Sequence, residues 1–441
     1  MIRLFRWITL MTFIIPMTWN PFTANSSVGS EEISVSQKIL EQYVGIYEVP
    51  PDLKITITRE GSQLSVYTTG MKIPIFASSE TKFFSKMVVD AQIEFFKNEH
   101  GEVTHLILYM NGREVKAQRT DEKIVEMKGQ RTSEKTVNII EEKAPFPGYL
   151  CRPDDDAPHP GIIFLHGSEG GNGDYWYYPG KPPVSVGKNA GFPILARYYA
   201  SLGYVTYAVC YFDCKHHEGY DKYPPDELKN IDLLKITHAA FLWLKKSEYV
   251  QNKKVAIWGN SRGAEQILLL ASLIGKYQNS VEGLILPDAI LAISPPDYVV
   301  GAFTEEQAKA MIKGENLPGR YNDPAWIFAD NEIKMFTLID IQYYKDPVLV
   351  TYFSQDTIWW SNIHPENLAE KYSINNIPYA IIPYSNKIDV NEALKTAREN
   401  MDKNLFINFT EEKGHCFPHD EKSSFLMTEV IKTFLKTHLG N

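Results

Sequence analysis

Ser261 stands between two glycines in Gly259-Asn260-Ser261-Arg262-Gly263, a Gly-x-Ser-x-Gly spacing suited to a nucleophile held on a sharp strand-to-helix turn. A serine hydroxyl attacks a carbonyl well only when a base takes its proton and a third group fixes that base's tautomer. His415, in the pair Gly414-His415, is the candidate base, with His419 as the fallback. Asp356 and Asp389 both lie between serine and histidine and are the candidate acids. The negative oxygen formed on attack needs two backbone N–H donors. One is expected from Arg262, directly after the serine. The other is expected from Ser168 or Glu169, in the loop His166-Gly167-Ser168-Glu169-Gly170-Gly171. That loop lacks the Gly-Lys-Ser/Thr ending of a phosphate cradle and the spacing of a dinucleotide site.

Gly-x-Ser-x-Gly arises by chance in on the order of one chain in ten of this length, so its flanks must carry the reading. A glycine-bracketed helix N-cap would look the same in isolation. Here the β-formers Lys254 to Trp258 stop at the turn, and apolar residues at 264, 267, 268 and 271 mark a helix beginning after it. Further strands are expected over Gly161–Leu165, Val205–Cys210, Ala289–Ile293, Val348–Phe353 and Leu405–Phe409. Helices are expected over Pro193–Leu202, Asp226–Lys245, Arg262–Leu273, Pro365–Lys371, Val390–Met401 and Phe425–Leu435. This alternation predicts a mostly parallel sheet flanked by helices.

Asp356 and His415 each follow one of these strands. Asp389 is nearer His415 in sequence, but the run before it, Tyr379–Tyr384, contains Pro383 and suits an edge strand or an insertion. That favours Asp356. Tyr175 and Trp176, just past the glycine-rich loop, and Trp359, just past Asp356, are placed to line an acyl pocket; packing of a lid or core is the ordinary alternative.

The 441 residues allow two or three domains, with 44% hydrophobic residues to fill their cores. Residues 36–120 predict a small β domain: Leu53–Thr58, Leu64–Tyr67, Gln92–Phe96 and Thr104–Tyr109 read as strands, and Asn111-Gly112 as a hairpin turn. The polar stretch 121–135 reads as a linker, and 136–441 as the catalytic domain. A net charge of −9 without a basic stripe argues against a nucleic-acid partner. Residues 1–26, with Arg3 and Arg6 before a short apolar run broken by Pro16, read as a signal peptide rather than a membrane span. Export follows, either to the periplasm or beyond the cell, with no stable span in the mature protein. Cys151, Cys210, Cys214 and Cys416 would then meet an oxidising compartment, with three pairings possible. Their spacing does not suit a metal, and no cofactor is expected.

Residues 136 to 440 resemble the α/β-hydrolase superfamily. Within it they are similar to the C-terminal domain shared by acyl-CoA thioesterases and bile acid-CoA:amino acid N-acyltransferases, and more distantly to dienelactone hydrolases. The likeness rests on Pro160-Gly161-Ile162-Ile163, Pro225-Asp226-Glu227-Leu228, Gly259 through Glu265, Asp356-Thr357-Ile358-Trp359-Trp360-Ser361 and Gly414-His415. It implies the order Ser, acid, His, puts the acid on the Asp-x-x-Trp segment and so supports Asp356. It also implies cleavage of a small-molecule ester or thioester through an acyl-enzyme. Residues around Tyr43-Val44-Gly45-Ile46-Tyr47-Glu48 and Phe83-Phe84 resemble an accessory β domain appended to bacterial serine hydrolases.

Three departures stand out. The family's own N-terminal domain is replaced by the β domain, residues 372–395 read as an insertion that could roof the pocket, and 301–342 read as a second lid. A serine, where the acyltransferases carry cysteine, favours release of the acyl group to water. Export separates the chain from cytosolic CoA, so CoA is not carried over. A serine peptidase or acyltransferase on the same triad is the enzymatic alternative, and a secreted binding protein on an inactive scaffold the non-enzymatic one.

Overall fold

Alternation of inward and outward side chains builds the first part of the chain. The computed structural model describes residues 32–440 except 50–52, 69–70, 87–90, 111–112, 121–136, 168–174, 177–183, 186–190, 212–229, 300–323, 329–330, 335, 357–362, 413 and 419. After helix α1 (Gln37–Tyr43) come β1 (Gly45–Val49), β2 (Leu53–Glu60), β3 (Gln63–Thr68), β4 (Met71–Ala77), β5 (Lys82–Ser85), β6 (Gln92–Lys97), β7 (Val103–Met110) and β8 (Arg113–Arg119). Each strand pairs antiparallel with the next, and β1 returns to β8 through Tyr47↔Arg119, which closes a barrel. Closure removes the sheet edges on which strands of other chains could add.

Along β6, Ile93 and Phe95 are buried while Gln92 and Lys97 are exposed, the period of two that a half-buried strand requires. Tyr43 stacks on Phe95 with ring centroids 4.2 Å apart, and the Tyr47 hydroxyl donates to the Tyr43 carbonyl. The sequence pattern predicted four of the eight strands. The missed β8 reads Arg-Glu-Val-Lys-Ala-Gln-Arg, nearly all polar, with Ala117 turned inward and fully buried. The expected turn Asn111-Gly112 lies outside the described residues, although β7 and β8 pair up to Met110↔Arg113.

The second part carries β9 (Ile139–Glu142), β10 (Gly148–Pro153), β11 (His159–Leu165), β12 (Tyr175–Trp176), β13 (Val184–Ser185), β14 (Val205–Val209), β15 (Val250–Asn260), β16 (Ala289–Ile293), β17 (Pro324–Phe328), β18 (Asn331–Lys334), β19 (Val348–Phe353), β20 (Tyr379–Tyr384) and β21 (Asn404–Phe409). Nine of them form one sheet in the order β20-β21-β19-β16-β15-β11-β14-β10-β9. Neighbours from β20 to β14 run parallel, and β10 runs antiparallel to both of its neighbours. This is the mostly parallel, helix-flanked sheet that the sequence predicts.

Every residue of β14, β16, β19 and β21 is buried, because helices cover both faces. One face packs on α2 (Phe192–Ser201) and the helices Val390–Glu399 and Glu421–Leu439. The other packs on α3 (Asn230–Lys246), α4 (Arg262–Tyr277) and the helix His364–Ile374. Because the strands are parallel, β11, β15, β16, β19 and β21 all end on one edge. There, loops converge.

Residues 372–395 differ from expectation. They do not form a roof: β20 adds to the sheet beside β21, and the helix Val390–Glu399 packs behind it. Ile382 and Tyr384 are buried, whereas Pro383 is exposed on the outermost strand, where a residue without an N–H costs no ladder bond. Of the second expected lid, 301–323 lies outside the described residues, and β17 and β18 form a hairpin. Cys210 is disulfide-bonded, and Cys151 and Cys416 are buried cysteines outside any disulfide. Among the described residues, no helix is long and apolar enough to cross a membrane.

Burial pushes the His238 imidazole on α3 down to about 4, and its Nε2 has no hydrogen-bond partner among the described residues. An unfolded histidine titrates near 6.5. Between about pH 6.5 and 4 the unfolded chain therefore binds a proton that the folded chain refuses. Stability is full above that window and falls as pH drops through it, by up to about 3 kcal/mol. Thermal melts across this range should show that loss in the wild type and a shallower one in His238→Leu.

Candidate active site

The turn between β15 and α4 holds Ser261 at φ 52, ψ −115, a left-handed backbone that L-residues adopt at a cost of about 1–3 kcal/mol. Its neighbours explain how the turn fits. A Cβ on Gly263 would sit 2.4 Å from the carbonyl oxygen of Leu165 and 2.8 Å from that of His166, so only glycine lets the first turn of α4 pass this close to the end of β11. The indole of Trp258 donates to Asn260 Oδ1 at 2.7 Å, and Ser261 N–H donates to Ile293 O at 2.8 Å. These bonds fix the turn against β16. The hydroxyl is left at the helix N-terminus, where partial positive charge favours an anion.

His415 comes from the loop after β21, and Asp356 from the loop after β19. The Ser261 hydroxyl lies 2.8 Å from His415 Nε2, and His415 Nδ1 lies 2.5 Å from Asp356 Oδ2. A carboxylate only accepts, so the ring proton sits on Nδ1 and the Nε2 lone pair faces the serine. Asp356 is 4% exposed and Ser261 6%. The histidine ring is the most open of the three, its side chain 14% exposed. A second link, from Gln355 N–H to Glu412 O at 3.2 Å, ties the acid loop to the histidine loop.

Asp389 goes elsewhere. It is exposed and caps the helix Val390–Glu399, accepting from the N–H groups of Asn391 and Glu392. His415 Nδ1 is bonded to Asp356 instead, while Asp389 stands at a surface helix start with Oδ1 on two backbone donors, and the expectation of Asp389 as an alternative acid is corrected on that ground. His419 lies outside the described residues, as do Ser168, Glu169 and Trp359. Tyr175 and Trp176 form β12, which pairs with β13. Arg262, buried at 2% exposure, opens α4 beside the end of β11. The elements expected to supply the two oxyanion donors are thus in backbone contact through Gly263.

Sequence reasoning missed three arrangements beside the ends of β11 and β16. Tyr211, after β14, stacks on His166 with centroids 4.2 Å apart and donates its hydroxyl to the His166 carbonyl at 2.6 Å, bracing the glycine-rich loop. Asp297 and His364 form a second carboxylate–imidazole contact, with Nδ1 2.6 Å from Oδ1, and Asn367 donates to the other oxygen. Burial pushes the Asp297 carboxyl up, but the adjacent His364 imidazole and the bond from Asn367 hold it below the ordinary carboxylate range. Ser294 is the third, its hydroxyl accepting from the Cys416 N–H at 3.2 Å. None carries a sequence signal, since each contact joins segments far apart in the chain. Among the described residues no group of three or more His, Cys, Asp or Glu is placed to hold a metal ion.

Comparison with known proteins places one part of the chain first. A family model described as a domain of unknown function (DUF3471) matches residues 30–125, the stretch that holds the barrel. Among solved structures the chain is similar to MGS-M1, an alpha/beta hydrolase enzyme from a Medee basin deep-sea metagenome library, at 15% identity over 70% of this chain and 100% of that one, TM-score 0.37. It is also similar to a puromycin-hydrolyzing peptidase of Mycobacterium tuberculosis, at 14% identity over 87% of this chain and 53% of that one, TM-score 0.43. A third is the acylaminoacyl peptidase of Pyrococcus horikoshii, at 14% identity over 88% of this chain and 57% of that one, TM-score 0.41. The match therefore spans only about half the length of either peptidase. No curated protein matches the chain. Likenesses this distant carry no activity over to this protein, whose fold is read from its own strand order.

Proposed function

We propose that the protein is a serine hydrolase that cleaves an ester or thioester through an acyl-enzyme. The observation that carries this reading is the chain of hydrogen bonds from Ser261 through His415 to Asp356. His415 Nε2 takes the hydroxyl proton as Ser261 Oγ bonds to the carbonyl carbon. The carbonyl oxygen, now negative, accepts from the N–H of Arg262 and from a second N–H in the loop after β11. The tetrahedral carbon then expels the alcohol or thiol, which leaves with the proton from His415. Water repeats the sequence in reverse and frees the acid. Asp356 holds the ring and stabilises its charged form without taking the proton.

The relay weighs against an inert binding scaffold, because each member is within hydrogen-bond reach of the next. The short N-terminal apolar segment and the disulfide at Cys210 support export. We assign the barrel an accessory role without chemistry of its own.

Intact-mass measurement after treatment with a fluorophosphonate tests the reading. One adduct is expected on the wild type and none on Ser261→Ala, whose rate constant should also fall by about a thousandfold or more. An unlabelled wild type, under conditions where a control serine hydrolase reacts, sinks the proposal.

A further inference from the structure

Ile293 and Ser294, at the end of β16, are fully buried and supply none of the three side chains in the relay. They nevertheless bond to all three segments that carry them. Ser261 N–H donates to Ile293 O at 2.8 Å. Ser294 N–H donates to Thr351 O, in the strand leading to Asp356, also at 2.8 Å. Cys416 N–H, in the peptide immediately after His415, donates to Ser294 Oγ at 3.2 Å. The first two bonds use backbone alone and tolerate any side chain at 294. The third needs the hydroxyl.

The backbone at both ends of that bond is left-handed: φ is 50 at Ser294 and 76 at Cys416. Neither residue is glycine, which would hold such a conformation without strain. Strain of this kind persists where the surroundings over-determine it, and it gathers at functional sites. What glycine would lack at 294 is the oxygen that fixes the Cys416 peptide, and with it the backbone that aims the His415 ring at two partners at once. We infer that Ser294 is a positioning residue for His415, acting through the Cys416 peptide. The inference rests on the serine-hydrolase reading above.

The test compares the full-length wild type with Ser294→Gly, which relieves the strain and deletes the hydroxyl, and Ser294→Cys, which restores an acceptor of similar size. Ser294→Gly should melt at or above the wild-type temperature. Its fluorophosphonate labelling rate, and kcat on a chromogenic ester, should fall about 10- to 100-fold while KM stays within about twofold, the loss expected when a catalytic group is misaimed without loss of substrate contacts. Ser294→Cys should recover part of that loss. If glycine loosens the loop and lowers the melting temperature, Ser294→Ala reads the same missing oxygen. Wild-type labelling rates in either folded variant overturn the positioning role while leaving the serine-hydrolase reading intact. A wild type that takes no label overturns the reading itself, and the positioning role falls with it.

Discussion

Asp356→Asn is expected to lower kcat by about ten-thousand-fold while leaving the fold intact, and Asp389→Asn to leave kcat within about twofold. The first effect follows from tautomer control. Asp356 accepts from His415 Nδ1 at 2.5 Å, which keeps the Nε2 lone pair on the serine. An asparagine of the same shape turns a donor toward Nδ1, so the ring holds its proton on Nε2 and can no longer accept from Ser261. In a well-studied serine protease, loss of this one control costs about 10⁴ in kcat. Asp389, in contrast, spends its carboxylate on two N–H groups at a helix start, and asparagine caps helices about as well as aspartate. Steady-state rates on a chromogenic ester for the two variants decide the matter. Equal losses in both would remove Asp356 from its role.

The second large effect is expected from Gly263→Ala. The added methyl meets only backbone: Leu165 O at 2.4 Å, His166 O at 2.8 Å and Leu165 C at 2.9 Å. No flexible side chain can yield, so α4 and the end of β11 must part. Forcing an extra carbon into a packed site costs about 3 kcal/mol, read as a melting temperature lower by several degrees. Activity should fall too, by about 100-fold or more in kcat/KM, because the same displacement separates the two elements that are to supply the oxyanion donors. Gly275→Ala is the control. At the far end of α4 its methyl would lie 2.3 Å from Tyr343 O, so the melting temperature should fall while the folded fraction keeps its kcat. Normal activity per folded molecule in Gly263→Ala would refute the link between that contact and catalysis.

The strands Ala289–Ile293 and Val348–Phe353 were legible to the residue because they are short, almost wholly apolar runs, buried throughout, without the 3.6-residue period of a helix. The preference for Asp356 over Asp389 could be argued from Pro383 alone, because a residue without an N–H belongs on an outermost strand, which is where β20 lies. The same reasoning failed at the margins. It read 372–395 as an insertion that could roof the pocket, because Pro383 within the apolar run Tyr379–Tyr384 suits an edge strand and an insertion equally. It also missed β8, where Glu114, Lys116 and Gln118 are exposed and only Val115 and Ala117 supply apolar side chains.

The sequence by itself determined the turn at Ser261, the class of sheet around it and the short set of acids and bases that could serve it. Those properties depend on glycine spacing, local periodicity and residues close together in the chain. Only the tertiary structure decided which of them meet. Ser261 and His415 are 154 residues apart, Asp356 and His415 59, and Ser294 and Cys416 122. Contacts over such separations exist because parallel strands bring their C-terminal ends to one edge of the sheet, and the order of the strands selects which loops share it. No local pattern encodes that order, so Ser294, Tyr211 and the Asp297–His364 pair became visible only once the sheet was assembled.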